Sequence, residues 1–164
     1  HPHVFSGRTV ADAAEVVRNW EQIKRAERGD EKGDKTTMLG GVPKQMPALA
    51  HARSIQRRVA DLGFDWDDAA GALAKVAEEA RELEQAGDID ARRAEFGDLL
   101  FALVSAGRHL GLDAEESLRL ANRRFMQRFA RMEYLARRRG VALRDITADE
   151  IEGLWRAAKV GGGA

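Results

Sequence analysis

The sequence contains no cysteine, which excludes disulfides, thiolate metal sites and cysteine nucleophiles and is compatible with the reducing cytoplasm where we expect the protein. It has no net charge either, since 27 Lys and Arg balance 27 Asp and Glu. No overall field draws it to a nucleic acid polymer or an anionic membrane, and neither is an expected partner. No apolar run reaches membrane-spanning length. The alternating β-branched runs that signal strands are nearly absent, and so are a Gly-rich phosphate loop and a defensible Ser/His/Asp order. The opening HPHVFSGRTV carries neither an initiator Met nor a signal-peptide pattern, as expected of a chain that begins inside a longer protein or after trimming.

What remains is helical. With 164 residues and 44% hydrophobic content the chain can bury one good core, and helical spacing of its apolar residues predicts an all-α fold. A first helix is expected from about Val10 to Arg28, with Val16, Val17, Trp20 and Ile23 as its apolar stripe. The polar, glycine-bearing stretch from Gly29 to Pro43 is expected to be a mobile loop, either a lid or a linker. A second helix, MPALAHARSIQRRVADLG, takes Pro47 into its first turn and closes at Gly63. FDWDD caps a third helix that runs to Gln85, and a fourth runs from about Ile89 to Leu110 and stops at Gly111. The short link between those two makes them antiparallel neighbours. Asp113 with Glu116, and Thr147 with Glu150, have capping-box spacing and open a fifth helix to about Arg139 and a short last one. The closing GGGA should fray. The expected organisation is an N-terminal helix and loop over residues 1–42, a helical body over 43–160 and a tail over 161–164.

The chemistry-bearing residues are acids. Glu79 and Glu82 lie three apart on the third helix, Glu95 and Asp98 three apart on the fourth, so each pair shares a helix face. Such pairs are most often solvated surface, and Glu78 and Glu84 fit that description. Glu79, however, flanks the stripe of Ala72, Val76, Ala80 and Leu83 and points along the helix interface. On the fourth helix Phe96, Leu99, Leu100, Phe101, Leu103 and Val104 occupy the whole circumference, the pattern of a buried helix, and Asp98 lies among them. A buried carboxylate needs compensation, and two kinds are open. One is an arginine in a buried salt bridge. The other is a divalent cation gathered by four acids that would otherwise repel one another; oxygen ligands without His or Cys favour Mg²⁺ or Mn²⁺. The Glu-x-x-His pairs of a di-iron bundle do not occur. His109, at the end of the fourth helix, suits a structural contact better than a ligand role.

The strings KVAEEAREL, EFGDLLFALVSAGRHLG and ANRRFMQRF resemble the MazG family of nucleoside triphosphate pyrophosphohydrolases, whose signature is E-E-x-x-E followed by E-x-x-D. In this sequence the matching residues are Glu78, Glu79, Glu82, Glu95 and Asp98. HPHVF, NWEQIK, VPKQMPAL, GFDW and LWRAAK extend the likeness over almost the entire chain, and HPHVF resembles the junction before the second catalytic domain of tandem members.

The resemblance implies a four-helix-bundle-like all-α pyrophosphohydrolase fold that dimerises with a second copy, with the catalytic domain over residues 43–160. It implies Mg²⁺-dependent conversion of a nucleoside triphosphate to the monophosphate and pyrophosphate, clearing aberrant or surplus nucleotides. The metal ligands would be Glu79, Glu82, Glu95 and Asp98, with Glu78 beside Glu79 as the catalytic carboxylates, Glu78 activating water or standing in the outer shell. Lys75, Asn122, Arg124, Arg128 and Trp155 match nucleotide-contacting positions. Their types suit the task, because guanidinium forks bind phosphate and an indole stacks on a base. The plainer alternatives are solvated arginines and a core tryptophan. The chain departs from the family pattern at Arg93 and Ala94, where further acids are common, at Ser105 in place of Asn, and at Arg124 in place of Lys. These departures bear on nucleotide preference. A dUTP- or dCTP-specialised all-α pyrophosphatase shares the same carboxylates, and a non-catalytic helical interaction module is the rival of a different class.

Overall fold

The computed structural model describes residues 37–160. The expected first helix, the greater part of the loop after it and the terminal GGGA lie outside the described residues. Within them the chain forms α1 (Ala48–Asp61), α2 (Ala69–Gln85), α3 (Ile89–His109), α4 (Ala114–Arg138), a 3₁₀ turn (Leu143–Asp145) and α5 (Ala148–Val160), and no strand. The all-α reading is borne out. No described helix is long and apolar enough to cross a membrane. The chain divides into two compact units, the first ending at Glu115 and the second beginning at Glu116.

In the first unit the helix boundaries follow from side-chain caps. Asp68 accepts a hydrogen bond from the Gly71 amide at 2.8 Å and opens α2, and Asp88 does the same for Ala91 at 2.8 Å and opens α3. Only Ala86, Gly87 and Asp88 separate the two helices, so they fold back on one another and form the main helix pair of this unit, with α1 packed on α3 as well. Pro47 stands just before α1 rather than inside its first turn. Helix α3 ends where Gly111 adopts a left-handed φ of 72°, which lets the Leu112 amide reach back to the Gly107 carbonyl at 2.7 Å. The described end of the expected mobile loop is a series of turns that bury Val42, and Arg58 holds it by donating to the Met38 carbonyl at 3.3 Å.

The expectation that α3 is buried all round is corrected. Ala102, Val104, Ser105 and Ala106 are buried, but Phe96, Leu100 and Leu103 are 53%, 39% and 46% exposed. These three lie four and three residues apart, on one helical face. An all-apolar circumference shows that every side of a helix avoids water, not that a single chain covers every side.

In the second unit Thr147 and Glu150 form the expected capping box. The Thr147 amide donates to Glu150 Oε2 at 2.7 Å, the Glu150 amide donates to Thr147 Oγ1 at 3.3 Å, and Glu150 is accordingly more acidic than usual, first through that backbone bond. Helix α5 then lays Leu154 and Ala158 against Met132 and Ala136 of α4, with Leu135, Leu143, Ile146 and Trp155 around them. Full burial of Leu154 and Met132 stabilises this pairing by about 1.5–3 kcal/mol each.

Candidate functional site

The α2–α3 pairing brings acids from both helices together. Glu79 faces the interface and is 4% exposed, Glu82 follows one turn later, and Glu95 approaches from α3. Carboxylate oxygens of these three residues lie within 4.8 Å of one another. One turn before Glu79, Lys75 forms an ion pair with it and a second, at 3.4 Å, with Glu78. That leaves Glu79 Oε2 buried without a hydrogen-bond partner.

The electrostatics record the crowding. The Glu95 carboxyl is pushed above the ordinary glutamate range, first by loss of surrounding water and then by the charges of Glu82, Glu79 and Asp98 and a hydrogen bond with Glu82. For Lys75, loss of water works to lower the pKa, but the hydrogen bond and charge of Glu79, aided by Glu78, outweigh it and raise the ammonium above its usual range. Three converging carboxylates with one ammonium keep a negative surplus, all donors are hard oxygens, and one buried oxygen is unpartnered. This donor set fits a hard divalent cation.

Asp98, the fourth acid of the sequence analysis, lies outside the group of three. It is exposed, and among the described residues no arginine pairs with it, so the buried salt bridge considered from sequence is not what compensates its charge. Its side chain instead lines a cavity of about 450 Å³ that also takes in Lys75 and Glu79. The cavity thus adjoins the acids. Its apolar walls come from Ile55 and Val59 of α1, Phe64 and Trp66 of the segment before α2, and Phe101 and Ala102 of α3. Ser105, one of the departures from the family pattern, lines it too.

Three other polar residues of this cavity, Gln56, Asp65 and Arg108, were not singled out from the sequence. Arg108 donates through both terminal nitrogens to Asp65, at 2.9 and 2.7 Å, and through Nε to Gln56 Oε1 at 3.4 Å. Gln56 Nε2 donates to the Phe101 carbonyl at 2.8 Å. His109 Nε2 donates to Asp65 Oδ1 at 3.0 Å, the structural contact expected of it. Burial works to raise the Asp65 pKa, but the bonds from Arg108 and His109 and the Arg108 charge outweigh it and hold the carboxyl below the usual aspartate range. One sequence signal was present: Gln56 is a polar residue next to the apolar Ile55 and one turn before Val59, yet it is 4% exposed.

In the second unit the Arg128 guanidinium lies over the Trp155 ring, 3.9 Å from its centroid, and donates to the Trp155 carbonyl at 3.5 Å. The Phe125 ring packs against the Trp155 ring as well, tilted by 47° with the centroids 5.3 Å apart. Trp155 is therefore part of the α4–α5 core contact and a platform for Arg128, whose buried Nε has no partner. Asn122 and Arg124 are exposed on α4.

No family model matches the chain. It is 38% identical over 161 residues to a Thermotoga maritima protein named nucleoside triphosphate pyrophosphohydrolase/pyrophosphatase MazG, covering 98% of this chain and 60% of that protein. To the nucleoside triphosphate pyrophosphohydrolase of Escherichia coli K12 it is 37% identical over 168 residues, covering 97% of this chain and 62% of that one. A third relative, the uncharacterized protein YabN of Bacillus subtilis, is 39% identical over 163 residues, with 97% of this chain aligned to 33% of it. The chain thus spans less than two thirds of the length of the curated relatives it matches.

Proposed function

We propose that the chain, which is similar along nearly its whole length to two proteins named nucleoside triphosphate pyrophosphohydrolase, is a MazG-type domain that hydrolyses nucleoside triphosphates to the monophosphate and pyrophosphate with the help of Mg²⁺ or Mn²⁺. The observation that carries the reading is the adjacency of two things: a converging acid group with an unpartnered buried oxygen, and an aromatic-walled cavity that shares Glu79 with it. A module that only displayed its acids to solvent would not bury Glu79.

Glu79, Glu82 and Glu95 would hold the cation, with Asp98 completing the set from the cavity side. When bound, a divalent cation supplies Lewis-acid polarisation of phosphate oxygens. The chain's own residues do the rest. The cavity takes the nucleoside, which leaves the triphosphate beside Lys75, whose ammonium offsets charge on the phosphates. Glu78, half-exposed next to Lys75, accepts the proton of the attacking water. The bond from water oxygen to the α-phosphorus forms, the bridging bond between the α-phosphorus and the pyrophosphate oxygen breaks, and pyrophosphate leaves. In the second unit Asn122, Arg124, Arg128 and Trp155 are the candidates for nucleotide contact, Arg128 foremost because its guanidinium is already held flat and one of its N–H groups is unspent.

Chromatography of the reaction should show monophosphate without diphosphate, and phosphate only when a coupling pyrophosphatase is added. Excess EDTA should reduce turnover to background, and Mg²⁺ should restore it and raise the thermal midpoint. Diphosphate as a product, or full turnover in protein shown to be metal-free, would contradict the proposal.

The same reading includes a homodimer. Phe96, Leu100 and Leu103 give α3 an exposed apolar face of the kind that a second copy covers in an isologous contact. Sedimentation equilibrium at micromolar concentration should give twice 18.1 kDa, and the Phe96→Asp, Leu103→Asp double variant should give the single mass. A wild-type monomer would reject the dimer while leaving the hydrolase reading in place.

A further inference from the structure

We propose that Gln56 is the residue that discriminates between bases in the cavity, an inference that rests on the nucleotide reading above. Its carboxamide has one orientation only. Nε2 donates to the Phe101 carbonyl, which cannot donate in return, and Oε1 accepts from the Arg108 guanidinium, which cannot accept. Inverting the amide would place two acceptors and two donors against each other. Gln56 therefore presents a fixed hydrogen-bonding pattern rather than an adaptable one.

Those two bonds use half of what the amide offers. One N–H and one oxygen lone pair remain, on a side chain that is 4% exposed and lines the cavity. A buried amide with unspent capacity is costly unless something completes it. The neighbouring groups narrow what that something is. Arg108 directs both terminal nitrogens to Asp65, so its charge is already matched and this part of the cavity presents no surplus cation to a phosphate. Lys75 and Glu79 of α2 and Asp98 of α3 line the same cavity, and a phosphate chain and its cation belong beside them. Trp66, Phe64 and Phe101 supply flat apolar surface. The occupant beside Gln56 is thus a planar, neutral heterocycle whose edge carries a donor next to an acceptor. Nucleobase edges have that arrangement, and a glutamine amide pairs with one bidentately. The bond to Phe101 and Arg108 makes the choice among bases a matter of which edge meets the fixed pattern, and a site built to hydrogen-bond its ligand rejects ligands that leave its polar groups unpaired.

The test is steady-state kcat/KM for ATP, GTP, CTP and UTP with wild type and with Gln56→Met, which keeps the length of the side chain and removes its hydrogen bonds. The wild type should show a preferred base. In the variant that base should lose about 10- to 100-fold, as expected for one or two lost hydrogen bonds, and the spread between best and worst should collapse. If Gln56 serves only to tie α1 to α3, all four values fall together and the ratios persist, which overturns the proposal. Should the variant fail to fold, the wild type still decides: the triphosphate of the preferred base, methylated on the nitrogen of its donor edge, should be turned over at least about 10-fold less efficiently than its parent. Equal turnover of parent and methylated probe, or of all four bases, also overturns it. Absence of hydrolysis with every nucleotide in Mg²⁺ is the different outcome that rejects the hydrolase reading itself.

Discussion

Glu95→Gln is expected to lower kcat by roughly 10²–10³-fold, the scale on which loss of one preorganised charge-stabilising group acts, while making the metal-free protein more tolerant of neutral pH. The two effects have one cause. Glu95 is pressed between Glu82, Glu79 and Asp98, and in the metal-free fold its carboxyl titrates above the ordinary glutamate range. A carboxyl with a raised folded-state pKa contributes stability that is complete below the unfolded-state pKa and is lost as pH rises through the folded value. As pH rises through that folded value the metal-free wild type takes on the repulsion of an ionised Glu95, and the glutamine variant does not. Denaturant melts of both chelated proteins at pH 4 and pH 8 should show the wild type losing ground to the variant at the higher pH. Addition of Mg²⁺ should reverse the order, because the wild type regains through binding what the variant cannot. A variant that kept its turnover would remove Glu95 from the metal set, and identical pH dependence of the two chelated proteins would remove it from the charge cluster.

The acid group was legible in the sequence because helix periodicity converts spacing into geometry. Glu79 and Glu82 share a face, Glu95 and Asp98 share another, and a three-residue link forces the two helices together. Helix ends were legible for a similar reason, since Asp68, Asp88 and Thr147 act on backbone groups three residues away. The cavity was not. Its polar groups, Gln56, Asp65 and Arg108, come from α1, the segment before α2 and the end of α3, and no local rule joins residues 43 and 52 positions apart. Burial of α3 was misjudged because apolarity states that a surface is covered without saying by what. Phe96, Leu100 and Leu103 remain open in the single chain. Asp98 looked costly on that mistaken premise; it is exposed, and the question of its compensation moves to the cavity it lines.

The second large effect is expected at Asp65, where Asp65→Asn should destabilise the fold by about 3 kcal/mol, the lower end of the loss for stranding one partner of a buried ion pair. The lower end applies because the two side chains are 14% and 20% exposed, so water relieves part of the stranded charge. Asp65 receives both terminal nitrogens of Arg108, His109 Nε2 and the Trp66 amide, and so pins the segment that carries Phe64 and Trp66 to the end of α3. Asparagine keeps the shape but offers one acceptor oxygen and turns an N–H₂ group toward donors. The pH dependence carries a sign that identifies the residue. Because its folded-state pKa is depressed, Asp65 contributes stability above the unfolded-state pKa of an aspartate and loses it as pH falls through the lowered folded value. Wild type and variant should therefore converge in acid and differ most at neutral pH with the wild type the more stable, whereas the Glu95 pair, which also diverges as pH rises, has the wild type as the less stable partner. Removing Arg108 as well, in an Asp65→Asn, Arg108→Leu double variant, takes away the stranded charge and should recover part of the loss, so that the two single effects are strongly non-additive. The recovery extends to folding only. Arg108 Nε also holds Gln56 Oε1, so the double variant releases the Gln56 amide from its fixed orientation and should broaden base preference even where the fold is restored. Strict additivity of the two single substitutions would show that the pair contributes nothing as a pair, and with it the anchor that fixes the cavity wall would be gone.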